Sequence, residues 1–177
     1  PKRVVFNEAD NYKVLKAAQI VLEEGIAIPI LLGNEHKIKS LNEEYSLGLE
    51  EVKIIDTKSS ELPRISEYID SYYKSRQRKG VGYDEARRLL LNRDYFGPMM
   101  VKMGDADAYL TGSMVKYPRA VKPVMEILGP KDDNKTVAGV YVMLTKKGPR
   151  FFTDTTMNQN PDAEKIAQIA CETAELV

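Results

Sequence analysis

The stretch YFGPMMVKMGDADAYLTGS, from Tyr95 to Ser113, decides how this chain is expected to fold. Its apolar, methionine-rich first half leads into a glycine turn, two aspartates alternate with alanines, and an apolar pair precedes Thr111-Gly112-Ser113. We interpret this order as a short helix, a tight turn, a buried strand and a polar elbow. Because ligands of open α/β sheets bind outside the carboxyl ends of the strands, the elbow is a candidate binding site. The alternative is a polar turn before a core strand, with no ligand.

Strand and helix patterns alternate on both sides of this stretch. Short apolar runs predict buried strands, and apolar residues at helical spacing predict amphipathic helices between them. The predicted strands cover 4–6, 28–32, 52–56 and 137–144, and the predicted helices cover 11–22, 37–45, 62–78, 84–91 and 118–128, with a last helix that opens at 160–162. Residues 150–154 return from the strand at 137–144 as a hairpin partner. The alternation predicts an α/β fold with a mostly parallel sheet and helices on both faces.

The composition is that of an ordinary globular protein. Of 177 residues, 43% are hydrophobic and 29% are charged, which suffices for one well-packed domain and part of a second. The 26 Lys and Arg residues balance the 26 Asp and Glu residues, so no global field favours nucleic acid or a membrane surface. An anion site therefore has to be local. No apolar run approaches the length of a membrane span.

The termini and the cysteine content bear on the setting of the chain. With a single cysteine, Cys171, no intrachain disulfide framework is possible, and we expect a cytoplasmic protein. The amino terminus lacks the apolar core of a signal peptide and an initiator Met, and Val177 lies inside a predicted helix. We therefore expect the chain to be a piece of a larger protein.

A basic cluster, Arg76-Gln77-Arg78-Lys79-Gly80, is the most useful charged feature in this neutral chain. The planar fork of arginine suits phosphate groups, and clustering of cations raises the local affinity for anions. A solvated helix end, whose cations interact with the negative end of the helix dipole, is the alternative.

A second polar segment, residues 153–161, places hydroxyls and amides between a predicted strand and the amino terminus of a helix. Asn158 and Asn160 are the candidates there for binding an anion or a carbonyl group, because a helix amino terminus offers N–H donors and a positive dipole end. Ordinary helix capping by the same two residues is the alternative.

Other reactive residue types do not form a site in the sequence. The only histidine, His36, lies in a polar segment without a Ser or Cys neighbour, so we expect a surface position. Cys171 shares a helical face with alanines, so we expect a small core residue. There is no glycine-rich dinucleotide or phosphate-loop motif, and no His/Cys cluster with metal-ligand spacing, so no metal site is predicted.

Several motifs occur together and in a family-specific order. They are Val5–Asp10, Gly25 with Pro29–Gly33, Arg76 with Lys79-Gly80, Tyr95–Gly97 with Met99–Val101, Gly104–Asp107, and Asn158 with Asn160-Pro161 and Ala163-Glu164. In this order the chain resembles the phosphate acetyl/butyryl transferases along its whole length.

Four positions depart from the usual pattern of that family. Thr155 stands where phosphotransacetylases usually have cysteine, Lys122 where an arginine is usual, and Ala9 and Ala108 where glycines are usual. Lysine keeps the charge but loses the bidentate fork, and the alanines crowd backbone that would otherwise approach a ligand closely. The Thr155 variant is most similar to the C-terminal phosphotransacetylase-like region of hybrid NADP-dependent malic enzymes.

The resemblance implies the first domain of a two-domain unit with a ligand cleft. It places residues 1–155 in the N-terminal α/β domain and 156–177 at the start of the second. Arg76 matches a CoA-contacting arginine of the family, and Lys122 takes the place of another. The elbow contributes two further candidates, and so does the second polar segment. The predicted ligand-binding residues for acetyl-CoA or phosphate are therefore Arg76, Lys122, Thr111, Ser113, Asn158 and Asn160. The family's principal catalytic residues would lie beyond Val177, so no catalytic residue is assigned to this chain.

The leading functional hypothesis is a module of an NADP-dependent malic enzyme that binds acetyl-CoA as an allosteric effector and supports homo-oligomerisation. Malate decarboxylation, with NADP and a divalent metal, would then belong to a domain outside this chain. The alternatives are an active phosphate acetyltransferase and a purely structural oligomerisation module. None of the three predicts nucleic acid or a membrane as a partner.

Overall fold

The computed structural model describes residues 1–59, 62–130 and 136–177. These residues form two compact units, Pro1–Leu128 and Gly129–Val177. The domain boundary that the sequence places after residue 155 stays a prediction.

The first unit is built on a four-stranded parallel sheet with the order β3-β2-β1-β4. The strands are β1 (Lys2–Asn7), β2 (Ala27–Leu32), β3 (Lys53–Ile55) and β4 (Ala108–Leu110). In the centre of the sheet, Val5 of β1 lies opposite Ile30 of β2 on one side and Tyr109 of β4 on the other. The predicted α/β class with a mostly parallel sheet is confirmed.

Six helices accompany this sheet in the described part of the first unit. They are α1 (Tyr12–Glu23), α2 (Glu35–Tyr45), α3 (Ile65–Arg76), α4 (Tyr83–Leu90), α5 (Arg93–Lys102) and α6 (Tyr117–Ile127), and a 3₁₀ turn (Gln77–Lys79) extends α3. Asparagine side chains cap three of them: Asn11 accepts from Lys13 N–H, Asn34 from Lys37 N–H and Asn92 from Asp94 N–H. Since each cap satisfies an otherwise unpaired helix donor, these asparagines explain where α1, α2 and α5 begin.

Two apolar clusters cover opposite faces of the sheet, because alternate residues of a strand point to opposite sides. One cluster joins Val5, Ile30 and Leu32 to apolar residues of α3, α4 and α5. The other joins Phe6 and Leu31 to apolar residues of α1 and α2. The predicted placement of helices on both faces follows from this division.

Strand β4 differs from its prediction as a buried strand. Among the residues that the structure describes, it forms an edge of the sheet and pairs with β1 alone, and it leaves Ala108 exposed and Leu110 51% exposed. The apolar residues that are deeply buried in this stretch belong instead to helix α5, where 94–100 are all buried. An edge strand and a central strand cannot be distinguished from so short an apolar pair, because apolar and polar residues alternate in the same way in both.

Within 129–130 and 136–177, the second unit contains an antiparallel hairpin and one helix. The hairpin pairs β5 (Val140–Thr145) with β6 (Gly148–Thr153), and α7 spans Ala163–Leu176. Helix α7 begins after Asp162, whose carboxylate accepts the N–H of Lys165. Cys171 is exposed, so its prediction as a core residue is wrong: the buried residue of α7 is Ile169.

Candidate functional site

The carboxyl ends of β1 and β4 meet at the point where the chain changes direction in the sheet. From β1 the chain continues outward to β2 and β3, whereas β4 lies on the other side of β1. This is the crevice in which α/β sheets of this kind bind ligands. It contains the predicted elbow, Thr111 and Ser113, together with Asn7 and Glu8 from the end of β1.

Glu8 holds the elbow through two hydrogen bonds. Its carboxylate accepts the backbone N–H of Ser113 and that of Met114, each at 3.0 Å. The residue is 1% exposed and has a positive φ of 59°, a backbone conformation that a non-glycine residue adopts only when its surroundings stabilise it. A buried carboxylate therefore occupies the two N–H donors that an elbow of this kind could offer to an anion.

Asn7 ties the same two strands together. Its amide nitrogen lies 3.1 Å from the hydroxyl of Thr111, 2.8 Å from that of Tyr109 and 3.0 Å from a carboxylate oxygen of Asp94. The other carboxylate oxygen of Asp94 accepts from Nε of Arg119 at 3.2 Å. Thr111 is thereby part of an internal network, whereas Ser113 is exposed.

A cavity of about 230 Å³ lies beside the elbow. Apolar side chains of Phe6, Val14, Ala17 and Leu110 line it, with Lys13 as its cationic residue. A larger and more polar cavity, of about 420 Å³, lies at the carboxyl ends of the other strands, where Arg93 pairs with Asp10 at 2.7 Å. No motif in the sequence predicted this second cavity.

The structure brings Arg76 and Lys122 together around a third residue, Glu126. An Nη atom of Arg76 lies 3.7 Å from the Glu126 carboxylate, and Nζ of Lys122 lies 3.9 Å from it. The Glu126 carboxylate also accepts from the hydroxyls of Tyr95, at 2.9 Å, and Tyr72, at 3.3 Å. Nε of Arg76 is buried and has no hydrogen-bond partner in the described part of the chain.

The tyrosines of this cluster stay protonated near neutral pH. Burial, together with the Glu126 carboxylate, raises the pKa of Tyr72 to about 12 and raises the pKa of Tyr95 as well. Lys102 lies close by, because its Nζ donates to the carbonyl of Ile127, the residue after Glu126, at 2.9 Å. Partial desolvation and the charge of Arg76 lower the pKa of its ammonium group. We call Arg76, Lys102, Lys122 and Glu126 the Arg76 cluster. Arg78 and Lys79 are exposed outside it, as expected for a solvated helix end.

Asn158 and Asn160 belong to the second unit and have local roles there. The side-chain amide of Asn158 donates to the carbonyl of Val137 at 3.0 Å, and the backbone N–H of Asn158 donates to the carboxylate of Asp154. Asn160 has a positive φ of 54° just before α7, which Asp162 caps. Thr155 is exposed. The role of these asparagines in ligand binding stays a prediction.

Three important residues were missed in the sequence. Asn7 and Glu8 follow the predicted strand 4–6 directly, and ligands of such sheets bind outside the carboxyl ends of the strands, so both residues could have been predicted as site residues. Glu126 lies one helical turn after Lys122, a spacing typical of ion pairs.

The described residues offer neither a metal site nor a membrane-spanning helix. No group of His, Cys, Asp or Glu within 1–59, 62–130 and 136–177 could hold a metal ion. Across the same ranges, no helix has the length and apolar character that crossing a membrane requires.

Comparison with known proteins identifies the family. The family model of the phosphate acetyl/butaryl transferases matches residues 1–177. A phosphate acetyltransferase of Acetivibrio thermocellus is 33% identical over 175 residues, which cover 96% of this chain and 52% of that protein. An NADP-dependent malic enzyme of Escherichia coli is 34% identical over 182 residues, which cover 100% of this chain and 24% of that protein. The chain thus spans between about a quarter and a half of the length of these relatives.

Solved structures give the same result. A phosphotransacetylase from Streptococcus pyogenes matches 99% of this chain and 54% of that chain, with a TM-score of 0.87 and 27% sequence identity. The EutD phosphotransacetylase from Staphylococcus aureus matches 98% of this chain and 52% of that chain, with a TM-score of 0.82 and 27% identity. By sequence and by fold, the chain belongs to the phosphate acetyl/butaryl transferase family.

Proposed function

We propose that this chain is a phosphotransacetylase-like module of an NADP-dependent malic enzyme, and that it binds acetyl-CoA as an allosteric effector that lowers malate decarboxylation. The observation that carries the proposal is the Arg76 cluster. Two residues predicted to contact the ligand converge there with an excess of positive charge and an unpartnered guanidinium nitrogen. Arginine and lysine with free donors bind the phosphate groups of a CoA ester.

The malic-enzyme context is supported by relatives and by sequence. An NADP-dependent malic enzyme of Escherichia coli and an NAD-dependent malic enzyme of Rhizobium meliloti are each 34% identical over at least 94% of this chain. Thr155, Ala9 and Ala108 depart from the pattern expected of a working transferase. In this proposal the chain assembles as a homo-oligomer in the cytoplasm, and NADP and a divalent metal bind to a domain outside residues 1–177.

The test uses the full-length protein that contains this chain. Malate-dependent reduction of NADP is measured with and without acetyl-CoA, in the native protein and in Arg76→Ala. We expect acetyl-CoA to lower the rate of the native protein and to have a much weaker effect on the variant. A rate that does not respond to acetyl-CoA in the native protein would overturn the proposal. The sign of the effect has to be measured, because coupling between two sites can take either sign.

The second candidate is an active phosphate acetyltransferase, which moves acetyl between CoA and phosphate. It is favoured by the match to about half the length of the Acetivibrio thermocellus phosphate acetyltransferase and by the fold of the two solved phosphotransacetylases. A thiol-release assay with acetyl-CoA and phosphate distinguishes it, since a regulatory module has no turnover in that assay. A module that only assembles subunits would show neither turnover nor calorimetric binding of acetyl-CoA.

A further inference from the structure

We propose that Glu126 is an internal counter-ion that competes with the ligand's phosphate for Arg76 and Lys122. It therefore sets the anion affinity of the Arg76 cluster. The inference rests on the proposed function for the identity of the ligand, an acyl-CoA. The competition itself rests on the geometry and charge of the cluster.

The geometry distinguishes the partners of Glu126. Its carboxylate is within hydrogen-bond distance of the Tyr95 and Tyr72 hydroxyls, at 2.9 and 3.3 Å. Both cations stand further away, at 3.7 Å for Arg76 and 3.9 Å for Lys122, which exceeds the range of an N–H···O hydrogen bond. The tyrosines therefore fix the carboxylate, while the cations are attracted to it without direct hydrogen bonds.

Arg76 keeps unused donor capacity in this arrangement. Its side chain is 19% exposed, its Nε has no partner among the described residues, and its contact with Glu126 is not the bidentate pair that arginine and carboxylate prefer. If the role of Glu126 were to orient Arg76, we would expect that bidentate contact. Since the contact with Glu126 is longer than a hydrogen bond, the Nη atom that faces Glu126 can still donate to a phosphate, whereas Nε is buried.

The charges of the cluster also support a competition between Glu126 and a phosphate. Arg76 and Lys122 both face the Glu126 carboxylate, so two positive charges stand against one negative charge. A third cation, Lys102, donates from Nζ to the carbonyl of Ile127, the residue after Glu126, at 2.9 Å. An incoming phosphate is attracted by the cations and repelled by Glu126, and charges about 4 Å apart interact strongly enough to change an affinity several-fold.

The test compares Glu126→Gln with the native full-length protein. Glutamine keeps an acceptor oxygen for the two tyrosines and removes only the negative charge. Calorimetric titrations with acetyl-CoA and, separately, with inorganic phosphate are expected to show binding roughly five- to tenfold tighter in the variant. Higher salt should reduce this gain by screening. Glu126→Asp, which keeps the charge, should stay close to the native affinity.

Glu35→Gln is the matched control, because Glu35 forms an i,i+4 pair with Lys39 on helix α2, as Glu126 does with Lys122 on α6. It should leave both affinities unchanged. Glu126→Ala, a second neutral variant, covers the case in which the glutamine variant does not fold, and should give the same gain.

The outcomes separate the two proposals. Affinity that is unchanged or weaker in the neutral variants overturns the role of Glu126, even if the native protein binds acetyl-CoA. A gain for phosphate without any binding of acetyl-CoA supports the role of Glu126 and overturns the proposed function. No binding of either probe by any of the proteins overturns both.

Discussion

At the scale of single residues, Glu8 shows how the elbow keeps its shape. A glutamate with a positive φ and 1% exposure is unfavourable by itself, both in backbone conformation and in the burial of a charge. Its two hydrogen bonds to Ser113 and Met114 N–H groups offset these costs. The elbow therefore depends on a residue more than a hundred positions earlier in the chain.

Replacing Glu8 by alanine is expected to lower the free energy of unfolding by about 1–3 kcal/mol, because two part-buried backbone N–H groups lose their carboxylate acceptor. Glu8→Gln should cost less, since one acceptor oxygen remains. Urea unfolding followed by circular dichroism measures both. The exposed Glu51 provides a control, and Glu51→Ala should change stability by less than about 0.5 kcal/mol. Native-like stability of Glu8→Ala would contradict this role.

Gly97 is required by close packing between α5 and β4. A Cβ atom at this position would lie 2.2 Å from a ring carbon of Tyr109, whose hydroxyl is hydrogen-bonded to Asn7. Gly97→Ala is expected to destabilise the protein by about 1–3 kcal/mol, despite the better helix propensity of alanine. The cost should shrink in combination with Tyr109→Ala, because the two residues are in contact. Gly82→Ala, where a Cβ would meet nothing within 4 Å, is the control in the same denaturation assay.

At the scale of elements, the turn before β4 is held by the start of helix α3. Arg64 donates from Nη1 to both carboxylate oxygens of Asp105, at 2.7 and 2.8 Å, and the Tyr68 hydroxyl donates to the same carboxylate. Burial alone would raise the pKa of Asp105, but these hydrogen bonds outweigh it and the pKa is lowered. The folded state thus favours the charged carboxylate.

A lowered pKa makes this contact sensitive to acid. The stabilisation is fully present above the unfolded-state pKa of about 3.9 and is lost as the pH falls through the lower folded-state value. Asp105→Asn should therefore be less stable than the native chain by about 1 kcal/mol at pH 7, and the difference should narrow between about pH 5 and pH 2. Urea unfolding over this range measures it. A difference that does not vary with pH would show that Asp105 acts through packing instead.

At the scale of the molecule, the apolar clusters are concentrated in the first unit. Both clusters that cover the sheet are formed by residues within 1–128. The hairpin of the second unit, by contrast, exposes large apolar residues, among them Leu144 at 86% and Phe152 at 54%. The first unit thus contains what a domain needs in order to fold alone.

A fragment of residues 1–128 is accordingly expected to fold and to unfold in one cooperative transition. Far-ultraviolet circular dichroism during urea titration, checked against near-ultraviolet signals from the buried tyrosines, measures this. Coincident transitions would agree with the expectation, whereas a broad or non-coincident unfolding would show that the first unit needs residues 129–177 for its stability.

The class of this fold and the order of its elements could be predicted from the sequence. Local spacing of apolar residues separates helices from strands, because this effect acts between neighbouring residues. The order of motifs also identified the family, which the comparison confirmed. The apolar spacing also predicted that Thr111 and Ser113 follow the end of a strand.

The surroundings of those candidate residues, in contrast, could be learned only from the tertiary structure. Glu8 and Ser113, or Arg76 and Glu126, meet across large separations in sequence, and no local pattern contains such contacts. The edge position of β4 and the exposure of Cys171 likewise depend on which elements pack against them. Burial and pairing between distant segments are properties of the assembled sheet and helices, so they emerge only once the chain has folded.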